Sequence, residues 1–355
     1  MRVDQLVPTF HRGDAIGDTA FQMRDFFRSQ GFASGIYCLE CDEGLEAEAG
    51  PFAEFPAPGR GDVTILHFAL PSSLTQGFAR LKSRKILVYH NITPEGFFAP
   101  FNTEMVRICR LGREELASLA SVVDLALADS EYNRRELPDL GYRKTGVLPL
   151  FIDFDKYARP MSSFVHGLYR DDRTNILFVG RVAPNKRIED LIRTTFYFKK
   201  YISPLVRLIV VGKTSSLPKY FESLVRMADE FFLEPEEIVF TGHVPDEEMF
   251  ALYRASDVFL SLSEHEGFCL PLIESMVFDL PIIAYNSTAV PFTLEGAGVL
   301  INSKGPDMVG ELVDRMVHDI ELRRKVLEGQ RARLVRFRKL DLRGFLLEKI
   351  KELVP

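Results

Sequence analysis

The sequence predicts an α/β protein of two doubly wound, Rossmann-like domains facing a central cleft. Three observations carry this. A chain of 355 residues is long enough for two separate cores. Short β-rich runs alternate with longer helical ones, and the pattern is laid down twice. The strand-like runs, such as "DVTILHF" and "RLIVVG", are almost continuously apolar, as expected of parallel strands covered on both faces.

In the first half the strands are "RVDQLV", "SGIYCL", "DVTILHF", "KILVYH", "LALAD" and "TGVLPL". Between the first two, "IGDTAFQMRDFFRSQG" places Ile16, Ala20, Met23 and Phe27 at helical spacing, with Gly31 positioned to stop the helix. The second half carries "NILFVG", "RLIVVG", "EIVFTG", "VFLSL" and "LPIIAY" as strands. Residues 151–174 have no sustained period and are rich in turn formers, which marks the domain boundary. The expected division is a first domain over 1–155, a second domain over 173–335, and a C-terminal helix over 336–355. That helix, with Phe345, Leu346, Ile350 and Leu353 on one face, is expected to pack back on the first domain.

Bulk properties exclude several classes. The net charge of −6 gives no reason to expect nucleic acid as a partner. The N-terminus lacks a signal-peptide layout, and no apolar run is long enough to span a bilayer. Four cysteines, Cys38, Cys41, Cys109 and Cys269, are too scattered for a disulfide framework. A cytoplasmic protein is expected, with the inner face of the membrane as a second possibility.

Two stretches carry the chemistry. In "FVGRVAPNKRIEDLI" (178–192), Gly180 permits a sharp exit from a strand, and Arg181 and Lys186 follow at its carboxyl edge. Two cations beside a helix start suit a phosphate; a solvated basic loop is the alternative. In "SEHEGFCLPLIES" (263–275), Pro271 fits the first turn of a helix. Amides around Cys269 and Leu270 would then be free for phosphate, with Glu266 and Glu274 flanking them as acceptors for sugar hydroxyls. The plainer alternative has Glu266 capping the helix and Glu274 facing solvent.

These segments, with "FTGHVPDEEMFALYRASDVFLSL" between them, resemble the carboxyl domain of retaining GT-B glycosyltransferases of family 4 (glycosyl transferases group 1). The resemblance implies a hexosyltransferase using a GDP- or UDP-linked sugar, with retention, no cofactor and no metal. It places the paired glutamates of the family on Glu266 and Glu274 and the diphosphate-binding cations on Arg181 and Lys186. Gly180, Gly267, Phe268, Cys269 and Leu270 fall in the donor-binding segments. In the first half, "PTFHRGDAIGDTA" resembles the glycine-rich loop, with Gly13 and Gly17 near the diphosphate, and "ILVYHNITP" places His90 beside the donor sugar. Gly212 and His243 are candidates for the base pocket. Closure of the two domains is expected to assemble the site. The resemblance implies a glycan, lipid-linked or protein-linked acceptor on the 1–155 domain and the nucleotide sugar on the 173–335 domain. A non-catalytic partner subunit, or a sugar-phosphate epimerase or phosphorylase on the same fold, is the competing reading.

The chain departs from the family at four places. Cys269, Arg187 and Asp279 stand where glycine is usual, and Phe292 where many relatives carry glutamate. Other motifs read as decoys. "DFD" (153–155) is turn chemistry, "VGKTS" (211–215) has Arg207 where a Walker loop needs glycine, and "CLEC" (38–41) lacks a second cysteine pair for zinc. His67 either lines the acceptor side or is a satisfied core histidine. Residues 323–343 hold nine Lys or Arg against two acids. That segment and "LKSRK" (81–85) read as solvated faces or as contacts to an anionic membrane surface.

Overall fold

The computed structural model describes residues 1–11 and 13–354; Arg12, inside the glycine-rich stretch, and Pro355 lie outside the described residues. Its contacts divide the chain into two units. The first comprises Met1–Gly96, Glu104–Phe154 and the chain from Leu340; the second comprises Phe97–Thr103 and Asp155–Lys339. Both are parallel-sheet α/β domains of Rossmann type.

The first unit holds a seven-stranded sheet: β1 (Val3–Phe10), β2 (Ile36–Cys41), β3 (Gly50–Pro51), β4 (Val63–Phe68), β5 (Arg84–Tyr89), β6 (Leu125–Ala128) and β7 (Thr145–Val147). The order is β3-β2-β1-β4-β5-β6-β7, and all neighbours are parallel. Helices α1 (Ala15–Ser29), α2 (Ser73–Arg80), α3 (Thr103–Leu119) and α4 (Glu131–Asp139) connect them. The start of α1 is fixed by Asp14, whose carboxylate accepts from the Gly17 amide, and Gly31 follows its end at φ 81°. Ala20, Met23 and Phe27 are fully buried on one face of it.

The second sheet has β8 (Thr174–Val179), β9 (Val206–Val211), β10 (Ile238–Gly242), β11 (Val258–Ser261), β12 (Ile282–Tyr285) and β13 (Val299–Ile301), in the order β10-β9-β8-β11-β12-β13. Its helices are α5 (Ser163–Leu168), α6 (Ile188–Tyr201), α7 (Pro218–Glu230), α8 (Asp246–Ala255), α9 (Leu270–Val277), α10 (Val290–Leu294), α11 (Pro306–His318) and α12 (Ile320–Arg338). In both sheets the order reverses beside the first strand, next to β4 in one and β11 in the other. Such a switch point is where doubly wound sheets bind ligands.

The final helix, α13 (Leu342–Leu353), begins after residue 336, because α12 continues to Arg338. Its Leu346, Ile350 and Leu353 share a core with Val3, Met23, Phe27, Ile65 and Val88 of the first unit. Two short strands, β3 and β13, have no counterpart in the sequence reading; at two and three residues they are too short to show a period.

The decoys resolve plainly. His67 is 1% exposed, with both ring nitrogens bonded, and is a core histidine. Lys85 is not a solvated cation: it is 8% exposed and donates to the Leu81 carbonyl. Cys38 and Cys41 are free cysteines, the first in the core, where burial pushes its thiol up to about 11. In the basic segment, Arg333 is buried and donates to Thr293 O, while Arg324 and Arg331 pair with Glu321, Glu328 and Asp279. Among the described residues no helix is long and apolar enough to cross a membrane.

Candidate functional site

The carboxyl edge of the second sheet is drawn together by glycines. The Gly180 amide donates to Val211 O, and that of Gly212 to Gly242 O. A Cβ on Gly212 would lie 2.1 Å from the Gly180 carbonyl oxygen, and its φ is 143°. Glycine is therefore required there by the approach of another main chain. After Gly180 the chain passes Arg181, which is exposed and has no ion pair among the described residues. It then forms a single turn over Pro184–Lys186.

Lys186 and Glu266 meet at this edge. The ammonium lies 2.6 Å from Glu266 Oε2, and the two side chains are 16% and 7% exposed. The loop bearing Glu266 is fixed along its length. Glu264 N donates to Asn185 O, Asn185 Nδ2 to His265 O, Glu266 N to Thr288 Oγ1, Ser287 to Ser263 O, and Thr293 to Phe268 O. Gly267 lies within this braced loop. Lys304 binds Asp190 and Glu264, and Arg187 binds Glu189 and Asp190, which surrounds the edge with a charged network.

Helix α9 starts directly behind. Its N-cap, Cys269, adopts φ 67° and ψ 68°, and no side chain among the described residues caps the helix. The amides of Cys269 and Leu270 have no acceptor among the described residues. An uncapped helix start at a sheet's switch point offers main-chain donors and a positive dipole end to an anion. Burial, and after it the neighbouring Glu266, push the Cys269 thiol well up, so it stands as a neutral group beside the Lys186–Glu266 pair.

Glu274 lies on α9 and is 4% exposed, so it does not face solvent. Tyr157 donates to its Oε1 at 3.0 Å and Tyr253 to its Oε2 at 2.8 Å. Phe250 and Phe278 complete an aromatic cluster around the two tyrosines. Burial pushes the Glu274 carboxyl up, against the pull of Lys156 and the two hydroxyls. Each carboxylate oxygen has a second lone pair beyond the one the tyrosine uses. His243, after β10, is exposed.

The residues proposed in the first unit are differently placed. Gly13, at φ 71°, turns the chain after β1. At Gly17 a Cβ would come within 2.6 Å of His11 O, and its amide already donates to Asp14 Oδ2 at 3.2 Å. The His90 side chain is 3% exposed, with Nε2 3.0 Å from His67 Nδ1 and Nδ1 3.3 Å from Asp129 Oδ2. Gln5 donates to Ala20 O, so it presents its oxygen to His67 Nε2, which must carry the proton. A neutral His67 then accepts at Nδ1 from His90; burial, with His90 beside it, depresses the His67 pKa. The residue His90 as a whole is half-buried, so what it leaves open is main chain.

Lys186, Glu266 and Cys269 are thus brought together, and Gly180, Gly212 and Arg181 line the same edge. Sequence reasoning missed Asn185, Tyr157, Tyr253 and Thr288. Asn185 sits between the two cations already singled out, so buried polarity in a short turn was the available signal. The tyrosines carried none, because their meeting with Glu274 is made by distant elements. Among the described residues no three His, Cys, Asp or Glu side chains are grouped as a metal-ligand set.

Residues 163–333 match the family model described as glycosyl transferases group 1. The serotype-specific mannosyltransferase WbdA of Escherichia coli is 25% identical over 144 residues, 41% of this chain but only 17% of that protein. A GDP-mannose-dependent alpha-mannosyltransferase of Mycobacterium tuberculosis is 27% identical over 282 residues, 75% of this chain and 69% of that one. The fold is similar to that of Anabaena Alr3699/HepE in complex with UDP-glucose, with TM-score 0.73, 16% identity, and coverage of 99% and 98% of the two chains. WaaG, a glycosyltransferase involved in lipopolysaccharide biosynthesis, superposes with TM-score 0.70 at 12% identity, over 99% of each chain. Residues 163–333 are thus similar to glycosyl transferases group 1, and the structural neighbours share the fold of this chain.

Proposed function

We propose that the chain transfers a hexose from a nucleotide-diphosphate sugar to a hydroxyl of a glycan, lipid-linked or protein-linked acceptor, with retention and without a metal. A mannosyl donor is favoured because relatives of this chain are named mannosyltransferases. The observation that carries the reading is the Lys186–Glu266 pair, 2.6 Å apart at the switch point, beside the uncapped start of α9.

The departing diphosphate must be stabilised as its bond to the sugar breaks. Arg181, Lys186 and the amides of Cys269 and Leu270 would supply fixed positive charge without reorganisation. Lys186 has three donors, so it can serve a phosphate while keeping Glu266 oriented. Glu266 would accept from sugar hydroxyls, and Glu274 would use its remaining lone pairs for the ribose. The α9 dipole and the neutral Cys269 thiol keep negative charge favourable at the phosphate position. Retention follows from the resemblance, with the leaving phosphate taking the acceptor's proton. The roles of Gly13, Gly17, Gly212, His243 and His90 are part of the same proposal; for His90 the available group is the main chain.

A thermal-shift screen of GDP-mannose, UDP-glucose and other common nucleotide sugars tests this. One donor is expected to raise the melting temperature, and acceptor glycans to increase nucleotide release. Glu266→Ala should lower that release on the order of a hundredfold, the loss of a charge-assisted contact plus its orienting partner. Undiminished turnover in that variant would refute the assignment.

A further inference from the structure

At the opposite, amino-terminal edge of the second sheet lies a cavity of about 550 Å³, lined by Arg170, Arg173, Arg254 and Arg323 together with Asp171 and Asp257. The residues come from the segment leading into β8, the end of α8, the turn into β11 and the first turns of α12. The six residues of β8 separate it from Gly180 by about 20 Å. It is therefore distinct from the donor-binding edge and independent of the reading given to that edge.

Its charge is unbalanced. Asp171 is taken by Arg207 at 2.6 Å, with Arg173 at 3.8 Å. Asp257 accepts from the Asn175 amide at 2.8 Å. Arg170, Arg254 and Arg323 have no carboxylate at ion-pair distance among the described residues. Arg254 is steadied over the Phe278 ring, 5.3 Å from its centroid. Arg323 is half-buried and donates to one main-chain oxygen, that of Asp257, at 2.8 Å. Burial holds its pKa below the usual arginine value, against the pull of Asp257.

Three arginines lining one cavity, none of them paired with a carboxylate among the described residues, suit the charge and the hydrogen-bonding needs of an oxyanion. We propose that this cavity is a second anion site that binds a phosphate group, held by Arg170, Arg254 and Arg323. Free phosphate and a phosphorylated lipid headgroup share that chemistry. Leu168 and Phe164 of α5 and Ile320 of α12 are exposed on elements that line the cavity, as a lipid source would use.

The test is calorimetric titration of inorganic phosphate into the Lys186→Ala protein, with and without Arg170→Gln and Arg254→Gln added. Both arginines are exposed, so their loss leaves the core intact. The double substitution is expected to weaken phosphate binding at least about tenfold, the loss of two charge-assisted contacts. Co-sedimentation with phosphatidylcholine vesicles, with and without phosphatidic acid, separates the sources. Arginine-dependent capture by the phosphatidic acid vesicles assigns the lipid, and arginine-dependent binding of phosphate alone assigns the free anion. Equal phosphate affinity and equal vesicle binding in the two proteins would overturn the proposal.

Discussion

The two domains share one topology but treat their polar residues in opposite ways. In the second, the groups at the carboxyl edge are held from behind and left open in front. Lys186 and Glu266 face each other from two strand-end loops, the second fixed by Asn185, Thr288 and Ser287, and the first amides of α9 have no acceptor among the described residues. In the first, the corresponding groups are consumed internally. The His90 ring is locked between His67 and Asp129, and the Gly17 amide is held by Asp14. The same sheet order therefore yields an edge with free donors in one domain and a self-satisfied one in the other. Ligand binding by side chains is accordingly expected of the second domain, and main-chain contact of the first.

This contrast can be broken by removing one buried partner from each domain. His67→Phe leaves Gln5 Oε1 and His90 Nε2 without their partner. It should destabilise the protein by about 1–3 kcal/mol while leaving nucleotide affinity unchanged. Tyr253→Phe strips one donor from Glu274 and should cost a similar amount, but it should also weaken nucleotide binding, because Glu274 is the proposed ribose acceptor. Chemical denaturation and nucleotide titration of the two variants read both effects. Equal loss of nucleotide affinity in the two would erase the distinction between the domains.

The pH dependence sharpens it further. Burial raises the Glu274 carboxyl above its unfolded value of 4.5. The folded protein thus holds that proton more tightly than the unfolded chain. Its stabilising effect is fully present below the unfolded value and is lost as pH rises through the folded one. Glu274→Gln removes this term. The stability of the variant relative to wild type should therefore improve between pH 4 and pH 7, measured by denaturant midpoints; a relative loss over that range would contradict the assignment.

The smallest effect concerns backbone. Cys269, Arg187 and Asp279, the three positions where the family usually carries glycine, all have positive φ, of 67°, 55° and 52°. A non-glycine residue in this region costs about 1–2 kcal/mol, and glycine forfeits about 0.5–1 kcal/mol of chain entropy. Cys269→Gly should therefore change stability by less than about 1 kcal/mol, although it deletes a buried side chain. A loss of several kcal/mol in thermal unfolding would show that the thiol is held by more than its place in the turn.

Much of the fold was legible because its strands are long apolar runs bounded by glycine, as in "NILFVG" and "RLIVVG". The short β3 and β13 were not, since their pairing is decided by neighbours. Lys186 and Glu266 were legible as local motifs on two strand-end loops, but their direct contact spans 80 residues and is a tertiary fact. The tyrosines on Glu274 were hidden for the same reason, and the removal of the His90 ring into a buried chain depends on Gln5 of β1 and on Asp129, just after β6. Gly212, a candidate for the base pocket, also answers to a steric constraint that the sequence does not show, the Gly180 carbonyl passing beside it.

The central claim is that the second domain grips a diphosphate through Lys186, Arg181 and the free amides of α9. Calorimetric titration of GDP and UDP into wild type and Lys186→Ala tests it most directly. One charge-assisted contact is worth about 1.5–3 kcal/mol, so affinity for the preferred nucleotide should fall at least about tenfold in the variant. Binding of equal strength by both proteins would contradict the account.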